Sequence, residues 1–269
     1  MKSGKGYVVI SSVRDERAFV ERTLDSVCKQ TARPECWVIV DDGSTDGTRE
    51  ILEHPAAAHS WIRLARVEGG GPRQTGSRVI QNLQAGCELI RDEAFDFVVK
   101  LDCDLDIPPG YFEKLLQKFH EDPKLGIASG IYLEQGEGKW VPIGMSSYHA
   151  AGAMKMMRAE CYRDIGGFVA APGWDAVDEI KAQVKGWRIG HFSDLHVLHL
   201  KDEGSGVGFR RMSAGSIAMI VAYFKCVVRR RSKLVKAEEA KYYRRMLNRR
   251  MLTGLLDVRA PKTKGTRYA

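Results

Sequence analysis

The chain alternates between two hydrophobic patterns. Short, nearly continuous apolar runs at residues 6–12, 36–40, 61–67 and 96–101 are rich in Val and Ile, and most of them give way to small or acidic residues. Such runs read as strands buried on both faces of a sheet. Between them apolar residues return at helical spacing, first at Phe19, Val20, Leu24 and Val27, then at Val79, Ile80, Leu83, Cys87 and Ile90. A helix over 109–120, a strand over 126–132, a helix carrying Val177, Ile180, Ala182 and Val184, and a strand over 194–200 continue the series. This strand-helix rhythm, at intervals of roughly 30 residues, predicts an α/β fold with a mostly parallel sheet flanked by helices.

In such a sheet the loops leaving the carboxyl ends of parallel strands share one edge, and ligands bind there. The loops after the first, second and fourth strands carry Asp15 and Glu16, then Asp41-Asp42-Gly43-Ser44-Thr45-Asp46-Gly47-Thr48, then Asp102-Cys103-Asp104. Taken alone, the last of these reads as an acidic turn. Grouped at one edge, hard carboxylate oxygens suit Mg²⁺ or Mn²⁺ carrying substrate phosphates. There is no G-x-G-x-x-G after the first strand and no GxxxxGK[ST] anywhere. Neither a dinucleotide fold nor a P-loop NTPase is therefore supported, and a metal on Asp104 is the natural way to hold a diphosphate.

Composition adds an asymmetry. Residues 201–269 hold 18 Lys/Arg against 5 Asp/Glu, whereas the preceding 200 hold 24 against 29. The basic segment includes a Gly-rich stretch at 204–208 suited to a lid, an apolar run over 213–228 closed by Arg229-Arg230-Arg231, and an amphipathic stretch around Tyr242. That apolar run is too short to span a bilayer comfortably, so an anionic membrane surface is the partner it suits. Nucleic acid is not an expected partner. The six cysteines form no CxxC pair, and the first residues lack a signal-peptide core, so the expected location is cytoplasmic, extending to the inner face of the plasma membrane. The expected organisation is a catalytic domain over 1–203 (halves 1–108 and 109–203), a lid and basic helical extension over 204–260, and a disordered tail over 261–269.

The blocks Ser11-Ser12-Val13-Arg14-Asp15-Glu16, Val40 to Thr48, Leu101-Asp102-Cys103-Asp104, Gly166-Gly167-Phe168 and Trp174-Asp175, in this order, resemble the family 2 glycosyltransferases of GT-A fold. The resemblance implies a metal-dependent, inverting transfer of sugar from a nucleotide-sugar, most simply a UDP-sugar, to a glycan or lipid-linked acceptor. It implies that Ser12, Val13 and Asp42 line the nucleobase pocket, that Glu16 lies near the nucleoside, and that Arg73 meets the base or diphosphate. Asp102 would face ribose and metal, and Asp104 would ligate the metal. Where most members carry Glu-Asp, this chain has Trp174-Asp175, which makes Asp175 the candidate general base and Asp178 the alternative. His196 and His199, three apart on a strand, face opposite sides, so at most one reaches the cleft; the family pattern assigns His199 to the metal. The remaining histidines, His149 and His191 among them, show no partner pattern. The competing readings are a polyprenyl-phosphate glycosyltransferase, a sugar-1-phosphate nucleotidylyltransferase, and a non-catalytic membrane or nucleic-acid binding protein driven by the basic tail.

Overall fold

A computed structural model describes residues 6–67, 77–136, 138–143, 149–168 and 174–201. Arg73, the lid and basic extension expected over 204–260, and the tail expected over 261–269 lie outside the described residues. In chain order the elements are β1 (Tyr7–Val13), α1 (Val20–Cys28), β2 (Cys36–Asp41), α2 (Thr48–Ala58), β3 (Ile62–Arg66), α3 (Ser77–Glu88), β4 (Phe97–Leu101) and β5 (Leu105–Asp106). They continue with α4 (Tyr111–Glu121), β6 (Leu125–Gly136), β7 (Lys139–Pro142), β8 (Met154–Arg158), α5 (Ala159–Ile165), α6 (Trp174–Val184) and β9 (Arg188–His199).

The strands form one sheet in the order β3-β2-β1-β4-β8-β6-β9-β5, with β7 paired to β6. The pairs β1·β2, β1·β4, β2·β3 and β6·β9 are parallel, while β8 runs antiparallel to both β4 and β6. As a result β1, β2, β4 and β9 all end at the same edge. The apolar runs split by alternation, as a two-residue side-chain period requires. Val9, Trp37 and Ile39 face α1, α2 and α4 through Leu24, Val27, Leu52, Phe112 and Leu115. Val8, Ile10, Val38 and Val40 face α3 through Ile80 and Leu83. Each such side chain contributes roughly 1.5–3 kcal/mol by leaving water.

Two glycines permit close approach. A Cβ on Gly86 of α3 would meet the Ile10 side chain at 2.7 Å, so α3 lies tight against β1. On Gly130 it would lie 2.1 Å from the Leu195 carbonyl oxygen, where the β6·β9 register shifts between Ser129 and Ile131. Among the described residues, no helix is long and apolar enough to cross a membrane.

Candidate active site

The site grows from the end of β4. Asp102 leaves the strand with its N–H donating to the Ala153 carbonyl at 2.8 Å, just before β8 begins. Two residues later the Asp104 carbonyl accepts from the Leu200 N–H at 2.9 Å. From the other side, the Thr23 hydroxyl of α1 donates to the Leu105 carbonyl at 2.8 Å and accepts from the Leu105 N–H at 3.0 Å. The short β5 also pairs Leu105 with His199. One acidic loop is thus fixed between β8, α1 and the end of β9.

Within it the two carboxylates differ. Asp102 is one-third exposed (33%) and is held by the buried Lys100, whose Nζ lies 2.6 Å from Oδ1. Desolvation pushes the Asp102 carboxyl up against the pull of the Lys100 ammonium, and the Asp104 charge adds to the rise. Asp104 has its Oδ2 3.7 Å from His199 Nε2, and its Oδ1 is buried without a hydrogen-bond partner. Burial pushes its carboxyl up too, but His199, Lys100 and Lys201 outweigh that and hold it below the usual range. His199 is flanked on its second nitrogen by Glu134, with Nδ1 2.8 Å from Oε1, and its ring stacks on Tyr132 at 5.1 Å between centroids. Burial would lower the imidazole's pKa, but Asp104 and Glu134 raise it to about 9. His196 is exposed on the opposite side of β9.

That rise has a sign for stability. A pKa lifted above the ordinary histidine value stabilises the fold fully below pH ~6.5, and the contribution is lost as pH climbs through 9. His199→Gln should therefore destabilise the metal-free chain on the order of 2 kcal/mol more at pH 6 than at pH 9.5, checked by urea unfolding at the two pH values.

Of the residues assigned to the nucleoside end, Ser12, Val13, Glu16 and Asp42 lie along the same edge. Asp41 is fully buried and closes the turn by accepting the Ser44 N–H at 2.9 Å. Asp42 instead accepts from Arg78 Nη2 at 2.6 Å, and Arg14 Nη1 lies 3.9 Å away. Ser12 Oγ accepts from Asn82 Nδ2 at 2.9 Å. The Val13 side chain is packed in the core, and its carbonyl accepts the Asp42 N–H. Glu16 binds Lys201 Nζ at 2.8 Å through Oε1. Asp15 holds the neighbouring loop, its Oδ1 accepting the Thr45 N–H at 2.8 Å from a backbone with φ 54°. Sequence patterns missed Arg78, Lys100, Glu134 and Lys201.

Asp178 and Asp175 share α6. Asp178 is completely buried, its carboxylate 3.1 Å from Lys155 Nζ of β8 and accepting the Glu179 N–H at 2.6 Å. Glu179, equally buried, meets Lys155 at 3.2 Å, His149 Nδ1 at 3.0 Å and the Ala150 N–H at 2.9 Å. Burial pushes the Glu179 carboxyl up, yet Lys155 and His149 bring it below its usual value. His149 and His191, read from sequence as lacking partners, are therefore engaged, since His191 Nδ1 also lies 3.0 Å from the His149 carbonyl. The reason is tertiary: Glu179 reaches His149 across 30 residues. Asp175 lies in the first turn of α6, and its side chain lies outside the described residues.

Among the described residues no three His, Cys, Asp or Glu side chains enclose a metal ion. The unpartnered Oδ1 of Asp104 nevertheless fits one, because Mg²⁺-type ions commonly take one or two protein ligands and complete their shell with water and substrate phosphate.

Residues 8–170, well over half of the chain, match the family described as Glycosyl transferase family 2. A poly-beta-1,6-N-acetyl-D-glucosamine synthase of Staphylococcus aureus is 25% identical over 126 residues, 47% of this chain and 28% of that protein, so the match spans little more than a quarter of the relative. Among solved structures, the mannosyltransferase PcManGT from Pyrobaculum calidifontis in complex with GDP-Man and Mn²⁺ gives a TM-score of 0.59 at 18% identity, covering 95% of this chain and 81% of that one. S. aureus TarS 1-349 in complex with UDP-GlcNAc gives 0.62 at 18% identity, covering 96% and 76%. These likenesses show a shared fold.

Proposed function

Because the chain belongs to glycosyl transferase family 2, we propose that it transfers a sugar from a nucleotide-sugar donor, a UDP-sugar, to a hydroxyl of a glycan or lipid-linked acceptor, with Mn²⁺ or Mg²⁺ as cofactor. The observation that carries this reading is Asp104, whose Oδ1 is buried without a hydrogen-bond partner and whose Oδ2 lies 3.7 Å from His199 Nε2. The structural neighbours support the donor class, PcManGT being in complex with GDP-Man and Mn²⁺ and TarS with UDP-GlcNAc. The synthase relative supports a glycan acceptor.

In this reading Ser12 and Asp42 orient the nucleobase, with Arg78 fixing the Asp42 carboxylate, and Glu16 and Asp102 border the nucleoside. Asp104 and His199 would hold the divalent ion, which would supply Lewis-acid stabilisation to the departing diphosphate. Asp175 takes the acceptor hydroxyl's proton as that oxygen bonds to the anomeric carbon, and the bond from that carbon to the diphosphate oxygen breaks with inversion. Asp178 is a poor base by comparison, because Lys155 and burial leave it no acceptor within reach.

Asp175→Asn should lower kcat on the order of a hundredfold with an alcohol acceptor, as loss of a general base does. Undiminished turnover would favour an acceptor that is already an anion, such as a polyprenyl phosphate, which the basic composition of 201–269 suits. The test of donor and metal is thermal: UDP-sugars at 100 times their dissociation constant should add about 2.7 kcal/mol of stability, and only with Mn²⁺ present. No shift with any nucleotide-sugar would sink the assignment.

A further inference from the structure

We propose that Glu134 is the positioning residue of the metal site, its carboxylate selecting which nitrogen of His199 is left to coordinate; this role rests on the metal-dependent reading above. Glu134 lies on β6, opposite Val141 of β7, and belongs to no motif of the sequence. An ionised carboxylate can only accept, so the 2.8 Å contact between Glu134 Oε1 and His199 Nδ1 requires the proton on Nδ1. The nitrogen then left for a metal, which would displace its proton, is Nε2, and Nε2 is the one that faces Asp104 Oδ2 across 3.7 Å. A proton on the wrong nitrogen would leave the lone pair aimed at Glu134 and a donor aimed at the site.

The ring's tilt is set as well. His199 stacks on Tyr132 with 26° between the planes, and the Tyr132 hydroxyl is itself pinned by the Ala153 N–H at 2.8 Å. The carbonyl of that same Ala153 takes the Asp102 N–H. One residue thus ties the acidic loop to the ring on which His199 rests, and Glu134 supplies the remaining constraint, rotation about the imidazole's own axis. Both side chains are largely enclosed, at 19% exposure for Glu134 and 10% for His199, so water is a poor substitute for the carboxylate. Partners of this kind on metal-bound histidines are worth roughly 10–100-fold in metal affinity.

The experiment titrates Mn²⁺ in the presence of UDP into the full chain, reading free Mn²⁺ by electron paramagnetic resonance, and repeats the turnover assay over the same Mn²⁺ range. Glu134→Leu should raise the Mn²⁺ dissociation constant roughly 10–100-fold, and saturating Mn²⁺ should restore kcat to within about threefold of wild type. Glu134→Asp, which keeps the charge but falls one methylene short, should resemble Leu and serves if the Leu variant folds poorly. Glu134→Gln, whose amide oxygen still accepts from Nδ1–H, should stay within about threefold of wild type. A merely structural role predicts a loss of kcat that Mn²⁺ does not restore. Unchanged affinity in Glu134→Leu and Glu134→Asp, or a Gln variant as impaired as Leu, would overturn the positioning role alone. Absence of saturable Mn²⁺ binding by the wild type would overturn the metal-dependent reading and this role with it.

Discussion

Turnover of Asp104→Ala is expected to fall on the order of a thousandfold in kcat/KM, with the fold intact. The argument is electrostatic: negative charge builds on the departing diphosphate, and removing a single donor or cation from such a charge in a water-poor site costs about 10²–10³ in rate. Asp104 Oδ1 is buried without a hydrogen-bond partner among the described residues. Asp102→Asn should be milder, because Lys100 already occupies that carboxylate. Steady-state rates across a Mn²⁺ titration separate the two. If Asp104→Ala stays within tenfold of wild type, or still binds UDP in a Mn²⁺-dependent way, the metal has been placed on the wrong residue.

Lys155→Met should destabilise the domain by about 3–5 kcal/mol, the cost of stranding buried carboxylates without their cation. Lys155 shows no exposed surface, and neither do Asp178 and Glu179. At the entropy of unfolding of a domain this size, that corresponds to a loss of roughly 10 °C or more in Tm. The pairing makes a second, opposite expectation. Lys155→Met combined with Asp178→Leu should recover much of the loss, because an apolar pair of similar volume replaces the ion pair while Glu179 keeps His149 and the Ala150 N–H. Thermal melts of the single and double variants decide it, and a single variant within 1 kcal/mol of wild type would remove the cluster's structural importance.

The strands that form the parallel half of the sheet were legible because they are apolar on both faces, a pattern that needs no partner to be read. Their acidic ends were legible for the same reason: the pattern stops abruptly where the ligand edge begins. β8 escaped notice because Met154-Lys155-Met156-Met157-Arg158 carries two cations in a short run, and its identity as a core strand depends on carboxylates from α6. A signal did exist. Asp178 stands four residues before the buried Ala182, on the core-facing stripe of the helix, and a carboxylate there demands a buried cation. β7 has no hydrophobic pattern because every residue in it is exposed. Asp42's partner, Arg78, lies in the first turn of α3 and belongs to none of the motif blocks. Only the folded geometry reveals such a pairing. Glu134 was invisible because a carboxylate near the end of a strand is ordinary in composition, and its meaning comes from the ring across the strand pair.

The single hydroxyl of Thr23, bridging both main-chain polar groups of Leu105, bears on the acidic loop's freedom of motion. A loop that must freeze when its ligand arrives spends part of the interaction on lost conformational freedom, and its measured affinity is weaker by that amount. Here the loop is tied on three sides, by the Thr23 hydroxyl of α1, by the Ala153 carbonyl just before β8 and by the Leu200 N–H just after β9. The loop's conformational entropy is given up when the domain folds, so a ligand held at Asp104, as proposed, would lose little of its attraction to ordering the loop.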